Sequence, residues 1–229
     1  MHISVLLKEV IENLNLKEDS VIVDATLGYA GHSSEILKKI KNGKLYAFDQ
    51  DIEAINFSKD KLSKIGNNYE IIKSNFVNMK EELNKRDVTK VNGILFDLGV
   101  SSPQLDEDYR GFSFHKDAIL DMRMNQEQSL SAKEVVNNYP LEELTRIFKE
   151  YGEEKFAYSI AKKIIENRNI KPIETTLELV EIIKTGVPEK YKREHHPARK
   201  VFQAIRIEVN KELEVFEKAL YDALELIDI

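Results

Sequence analysis

Three short strings hold the side chains best suited to chemistry. The first, Asp24-Ala-Thr-Leu-Gly28-Tyr-Ala-Gly31-His32, follows an apolar run and opens onto a helical pattern. Glycines at such a strand-to-helix turn let a ligand approach the backbone closely. A dinucleotide pyrophosphate favours three glycines in G-x-G-x-x-G spacing, and only Gly28 and Gly31 fit. S-adenosylmethionine has no pyrophosphate and needs only the close approach, while an ordinary βα turn remains open as the plain reading. The second string ends in Asp49, 21 positions after Gly28, where a carboxylate can accept hydrogen bonds from ribose hydroxyls. That suits the adenosine of either ligand, and also a solvated loop. The third, ILFDLGVSSPQLD (Ile94–Asp106), sets Asp97, Ser101, Ser102, Pro103 and Gln104 at the end of a fourth apolar run. Open parallel sheets collect ligands at that edge.

The elements that must hold these strings alternate. Strands are expected at Ser20–Asp24, Lys44–Asp49, Tyr69–Ser74 and Val91–Gly99, with helices at His32–Ile40 and Asp51–Leu62 and Asp51 as a cap. The alternation predicts an α/β fold of parallel βαβ units, a doubly wound sheet. Val5, Leu6, Val10 and Leu14 predict an amphipathic opening helix. From Leu105 to His195 no strand is expected. Ser131/Glu134 and Thr175/Glu178 fit capping boxes, and Pro140 suits the start of a helix at Leu141, so the stretch reads as an all-helical insertion. From Pro197 to Ala223, apolar residues Phe202, Ile205, Val209, Leu213, Phe216 and Leu220 predict one long helix. The expected division is a core of residues 1–104 and 196–229 around an insertion of residues 105–195.

Composition narrows the class without choosing the function. A chain of 229 residues with 42% hydrophobic and 32% charged residues is an ordinary globular balance. With no cysteine there is no disulfide or thiolate metal site, and His195 and His196 lack a third ligand at paired spacing, so no metal is expected. No basic n-region precedes a long apolar run, which predicts no signal peptide, no membrane span and a cytoplasmic location. The net charge of −6 does not exclude nucleic acid, because phosphate binding depends on where cations cluster. The most basic stretch, Lys190 to Lys200, carries Lys190, Lys192, Arg193, Arg199 and Lys200 and is the candidate RNA contact, a solvated loop being the alternative.

DATLGYAGHS, ILFDLGVSSPQLD, YRGFSF, LDMRM, YGEEKFA and HPARKVFQAIRIEVN occur in this order. Together they closely resemble the family that methylates N4 of a cytosine in the decoding centre of small-subunit (16S) ribosomal RNA. The likeness runs from His2 to the end of the chain. It implies a class I, Rossmann-like methyltransferase core with a helical substrate-recognition insertion. It also implies S-adenosylmethionine as cofactor, held by Ala30, Gly31, His32, Asp49, Phe76, Asp97 and Gln104. The implied partner is 16S ribosomal RNA or the small ribosomal subunit. Four positions depart from the family pattern: Ala118-Ile119 replaces Gly-Pro before LDMRM, Asn125 stands where an acid is usual, and Lys200 replaces an arginine. Lysine keeps the charge but loses the bidentate fork.

The exocyclic amine of cytosine is a poor nucleophile, so the site must align it and accept a hydrogen bond from it. Asp97 with Ser101 and Ser102 are the candidate catalytic residues. Ser102-Pro103-Gln104 only partly matches the Asp/Asn/Ser-Pro-Pro-aromatic string of related amino-methyltransferases, and Tyr109, Phe112 or Phe114 is the candidate stacking face, with hinge packing as the alternative. Another methyl acceptor, or a cofactor-binding assembly factor without turnover, also stays open. A class I sheet has seven strands and only four are legible. The chain is therefore expected to be a C-terminally truncated core whose fourth strand has an open edge and an uncovered apolar face.

Overall fold

Apolar runs with no polar face dictate a sheet covered on both sides. In the computed structural model, which describes residues 4–100 and 108–228, four strands form one parallel sheet in the order β3-β2-β1-β4. They are β1 (Val21–Asp24), β2 (Lys44–Asp49), β3 (Tyr69–Lys73) and β4 (Gly93–Leu95). Ile22, Leu45 and Ala47 project to one face, Val23, Tyr46 and Phe48 to the other. Burial on both sides is why the runs are apolar throughout. The first face is covered by α2 (Gly31–Lys39) and α3 (Ile52–Leu62), through Ile36, Leu37, Ile40 and Leu62. The opposite face is covered by α4 (Met79–Asn84) and the last helix, α11 (Glu212–Leu226), through Met79, Leu83, Ala223 and Leu226. The apolar face near the fourth strand is thus not bare. Ile227 also makes a parallel bridge to Val91, just ahead of β4.

The chain divides into two compact units, Met1–Ser101 with Leu213–Ile229, and Ser102–Glu212. The second is helical: α5 (Ala132–Asn138), α6 (Leu141–Glu150), α7 (Ala157–Arg168), α8 (Thr176–Thr185), α9 (Glu189–Glu194) and α10 (Ala198–Asn210). Both expected capping boxes are present, Ser131 with Glu134 and Thr175 with Glu178, and Pro140 stands at the N-cap of α6. Among the described residues of this unit, extended pairing is limited to the bridge Ile119–Thr175.

Two expectations change. The apolar spacing from Phe202 to Leu220 predicts one helix, but Lys211 adopts φ 50°, in the left-handed region, and separates α10 from α11. The division therefore groups α10 with the helical unit rather than with residues 213–229. The opening helix, α1 (Leu7–Asn13), starts later than its apolar stripe. Leu6 itself is left-handed, so Val5 and Leu6 are exposed while Ile11 and Leu14 pack against the sheet unit.

Candidate active site

Every strand end on the carboxyl edge of the sheet carries a group that the first three strings, or the family likeness, singled out. From β3 to β4 the row reads Phe76, Asp49, the Gly28–His32 turn after β1, and Asp97. The strand order reverses direction at β1, the position where open α/β sheets leave a crevice.

The β1 turn is built on two left-handed residues, Gly28 (φ 48°) and Ala30 (φ 53°). This leaves Ala30 fully buried as the N-cap of α2. Gly31 meets the opening segment so closely that a Cβ there would lie 1.7 Å from Ser4 Oγ. Asp49 fixes the same turn from β2. Its Oδ2 accepts from Gly28 N–H at 2.8 Å and its Oδ1 from Asp51 N–H at 2.8 Å. Burial nevertheless outweighs these bonds and pushes the carboxyl up to about 6. A carboxylate offers about four acceptor positions, so capacity remains for a ribose hydroxyl. A carboxylate with spare capacity beside a left-handed glycine turn fits the hydroxyls of a nucleoside such as that of S-adenosylmethionine. Phe76 sits in a short 3-10 turn after β3, edge-on to Phe96, which in turn packs edge-on against Phe216.

At the far end of the row, the backbone N–H of Asp97 donates to Thr26 Oγ1 at 2.7 Å and ties the residue to the β1 turn. Its carboxylate is 43% exposed and lies 3.6 Å from Nδ1 of the buried His32. The other ring nitrogen of His32, Nε2, is 2.9 Å from the Val5 carbonyl. Both nitrogens of this expected cofactor ligand thus face protein groups, leaving its backbone N–H at the start of α2. Asp24, beneath them, was legible only as the end of a strand. It is buried, accepts from Ser33 Oγ at 2.7 Å and from Thr26 N–H at 3.1 Å, and burial raises its pKa. An acid closing an apolar run, with a serine early in the next helix, was the available signal. Ser101, Ser102, Pro103 and Gln104 lie outside the described residues.

In the helical unit, the aromatic candidates separate. Phe112 is buried, under the guanidinium of the buried Arg110 at 5.8 Å. Phe114 forms a cluster with His115 (4.4 Å) and His196 (4.6 Å), stacked on the His196 ring, so one of its faces is already engaged. Tyr109 is exposed. Of the basic stretch, Lys190, Arg193 and Arg199 are exposed. Lys192 pairs with Glu189 at 2.5 Å, and Lys200 Nζ donates to the Glu153 carbonyl at 2.7 Å. The distant strings LDMRM and HPARKVFQAIRIEVN meet at Asn210. Its Oδ1 accepts from Met124 N–H, and its Nδ2 donates to Met122 O and Arg206 O.

The MraW methylase family matches residues 1–229, the whole chain. This chain belongs to that family. Three curated relatives carry the name ribosomal RNA small subunit methyltransferase H. That of Exiguobacterium sibiricum is 56% identical over 229 residues, all of this chain and 73% of the relative. That of Clostridium botulinum strain Loch Maree is 58% identical over 224 residues, covering 97% and 72%. That of Spiroplasma kunkelii is 56% identical over 230 residues, covering 100% and 74%. In this MraW methylase the described residues contain no cluster of three or more side chains suited to hold a metal, and no helix long and apolar enough to cross a membrane.

Proposed function

We propose that this MraW methylase transfers a methyl group from S-adenosylmethionine to N4 of a cytosine in the decoding centre of 16S ribosomal RNA, in the cytoplasm. The observation that carries the reading is the row along the sheet edge. A base-sized aromatic (Phe76), a ribose acceptor (Asp49), a glycine turn (Gly28 to His32) and an outward carboxylate (Asp97) follow one another in the order a nucleoside-linked methyl donor requires. The names borne by relatives at 56–58% identity support a ribosomal RNA acceptor. Bound S-adenosylmethionine supplies an electrophilic methyl group on a sulfonium.

The residues of the chain do the rest. Asp49 binds the ribose and, through Gly28, sets the turn beneath it. Asp97 accepts a hydrogen bond from the exocyclic amine, which localises the nitrogen lone pair and aims it at the methyl group. Ser101 and Ser102 complete this contact, and Ala30, Gly31, His32 and Gln104 hold the cofactor. Residues 105–195 recognise the substrate, with phosphate gripped by Lys190, Lys192, Arg193, Arg199 and Lys200. The base must leave its stack to reach such an edge. Nucleoside mass spectrometry of 16S ribosomal RNA tests the assignment. Cells lacking the gene should lose one N4-methylcytosine, and the restored gene should return it; persistence of the modification in its absence refutes the reading.

A further inference from the structure

We propose that His32 takes up the proton released at Asp97 when the amine is methylated, an inference that rests on the reading of this edge as an amino-methyltransferase site. When a neutral amine gains a bond to carbon, one N–H bond must break, its electron pair staying on nitrogen and its proton leaving. Asp97 is the exposed carboxylate at the edge and receives that proton. Imidazole is a stronger base than carboxylate, so a neutral imidazole facing a protonated carboxyl draws the proton from it.

The geometry specifies which imidazole nitrogen is ready. The Val5 carbonyl only accepts hydrogen bonds, so Nε2 of His32, 2.9 Å away, carries the hydrogen. In the neutral ring the lone pair is then on Nδ1, the atom that faces Asp97 Oδ2 at 3.6 Å. That separation is too long for a hydrogen bond and suits a lone pair facing a carboxylate. A proton on Asp97 converts the contact into O–H···N, and its transfer gives an imidazolium donating to a carboxylate. His32 is only 5% exposed, so the proton is stored away from solvent exchange.

Two carboxylates stand by to receive the imidazolium. Asp97 flanks the ring from the end of β4 and Asp24 from β1. Around α2, Glu35 pairs with Lys38, Lys61 on α3 donates to the Tyr29 carbonyl, and Lys8, Glu9 and Glu12 of α1 line a groove with Glu35 and Lys39. His32 acts through Asp97 and is therefore a positioning and proton-accepting residue, not one in contact with substrate.

Two measurements test this. Nitrogen-15 NMR of the imidazoles in the cofactor-free protein should show His32 as the Nε2–H tautomer; the Nδ1–H tautomer overturns the proposal. His32→Gln keeps an amide N–H for the Val5 carbonyl but offers no proton acceptor. Its single-turnover rate on small ribosomal subunits, measured at saturating S-adenosylmethionine, should fall at least tenfold and lose the acid limb of the wild-type pH profile. A variant with the wild-type rate and profile overturns it. Wild-type protein that methylates no ribosomal RNA would instead sink the proposed function, and the tautomer would still decide the geometry of His32.

Discussion

Replacing Asp49 with asparagine separates two roles that one carboxylate combines. The carboxyl lies at about 6 in the folded protein against an ordinary 3.8, so the native state binds more protons than the unfolded chain between these values. Stability must therefore fall as pH rises through about 4 to 6. The full difference corresponds to about 3 kcal/mol that the ionised group costs at neutral pH. An amide does not ionise, so the Asp49→Asn variant should gain about 2.4 kcal/mol relative to wild type on going from pH 4 to pH 7. A constant loss accompanies it, because the amide nitrogen cannot accept and only one of the Gly28 and Asp51 N–H groups keeps its partner. Cofactor binding should move the other way. Losing a charged acceptor for a ribose hydroxyl costs about 1.5–3 kcal/mol, roughly a 10- to 150-fold rise in Kd at pH 7.5. Wild-type affinity should itself decline as pH drops below about 6, since the protonated carboxyl no longer accepts freely, and that decline should vanish in the variant. Urea unfolding at several pH values and calorimetric titration with S-adenosylmethionine supply both numbers. An Asp49→Asn protein with wild-type affinity, or with an unchanged pH dependence of stability, would refute the reasoning.

Asn210→Ala removes two hydrogen bonds to the Met122–Met124 segment and one to the Arg206 carbonyl, and should destabilise the helical unit by about 2–4 kcal/mol in urea titrations, leaving cofactor affinity unchanged. Arg199→Glu, at an exposed position, should weaken RNA binding and lower the slope of log K against log salt by about 1, read by fluorescence anisotropy. Lys200→Glu should weaken RNA binding too and additionally loosen residues near Glu153, whose carbonyl holds its ammonium, visible as faster amide exchange there. Gly31→Ala should displace Ser4 and raise amide exchange across α1, because the new methyl group occupies the place of the Ser4 hydroxyl.

The sheet edge was legible because its signals are local: apolar runs ending in acids, a glycine turn and a capping aspartate; two capping boxes marked the helical unit in the same way. Asp49 and Asp97 could be placed at strand ends from the runs alone. What the sequence hid depends on contacts between distant residues or on a single backbone angle. Lys211 carries no glycine or proline signal, and the apolar spacing continues across it. His32 could be taken as a cofactor ligand from its string, but the direction of its ring depends on Val5 and Asp97, 27 positions before it and 65 after. Phe112 and Phe114 could be read as stacking faces or as packing, and the contacts with Arg110 and His196 that decide between these had no local signature.

The covering of the sheet has a consequence for synthesis on the ribosome. The helical unit is contiguous in the chain, but the sheet unit is interrupted, and the face bearing Val23, Phe48 and Ile72 waits for Ala223 and Leu226. At about 5–20 residues per second, the 131 residues between Leu95 and Leu226 take on the order of ten seconds to emerge. During that interval a nascent parallel sheet presents an apolar face to its surroundings, while the helical unit behind it can already fold. A chaperone that binds apolar surface, or a pause that lets α4 dock first, would act on this window, and the arrival of α11 closes it.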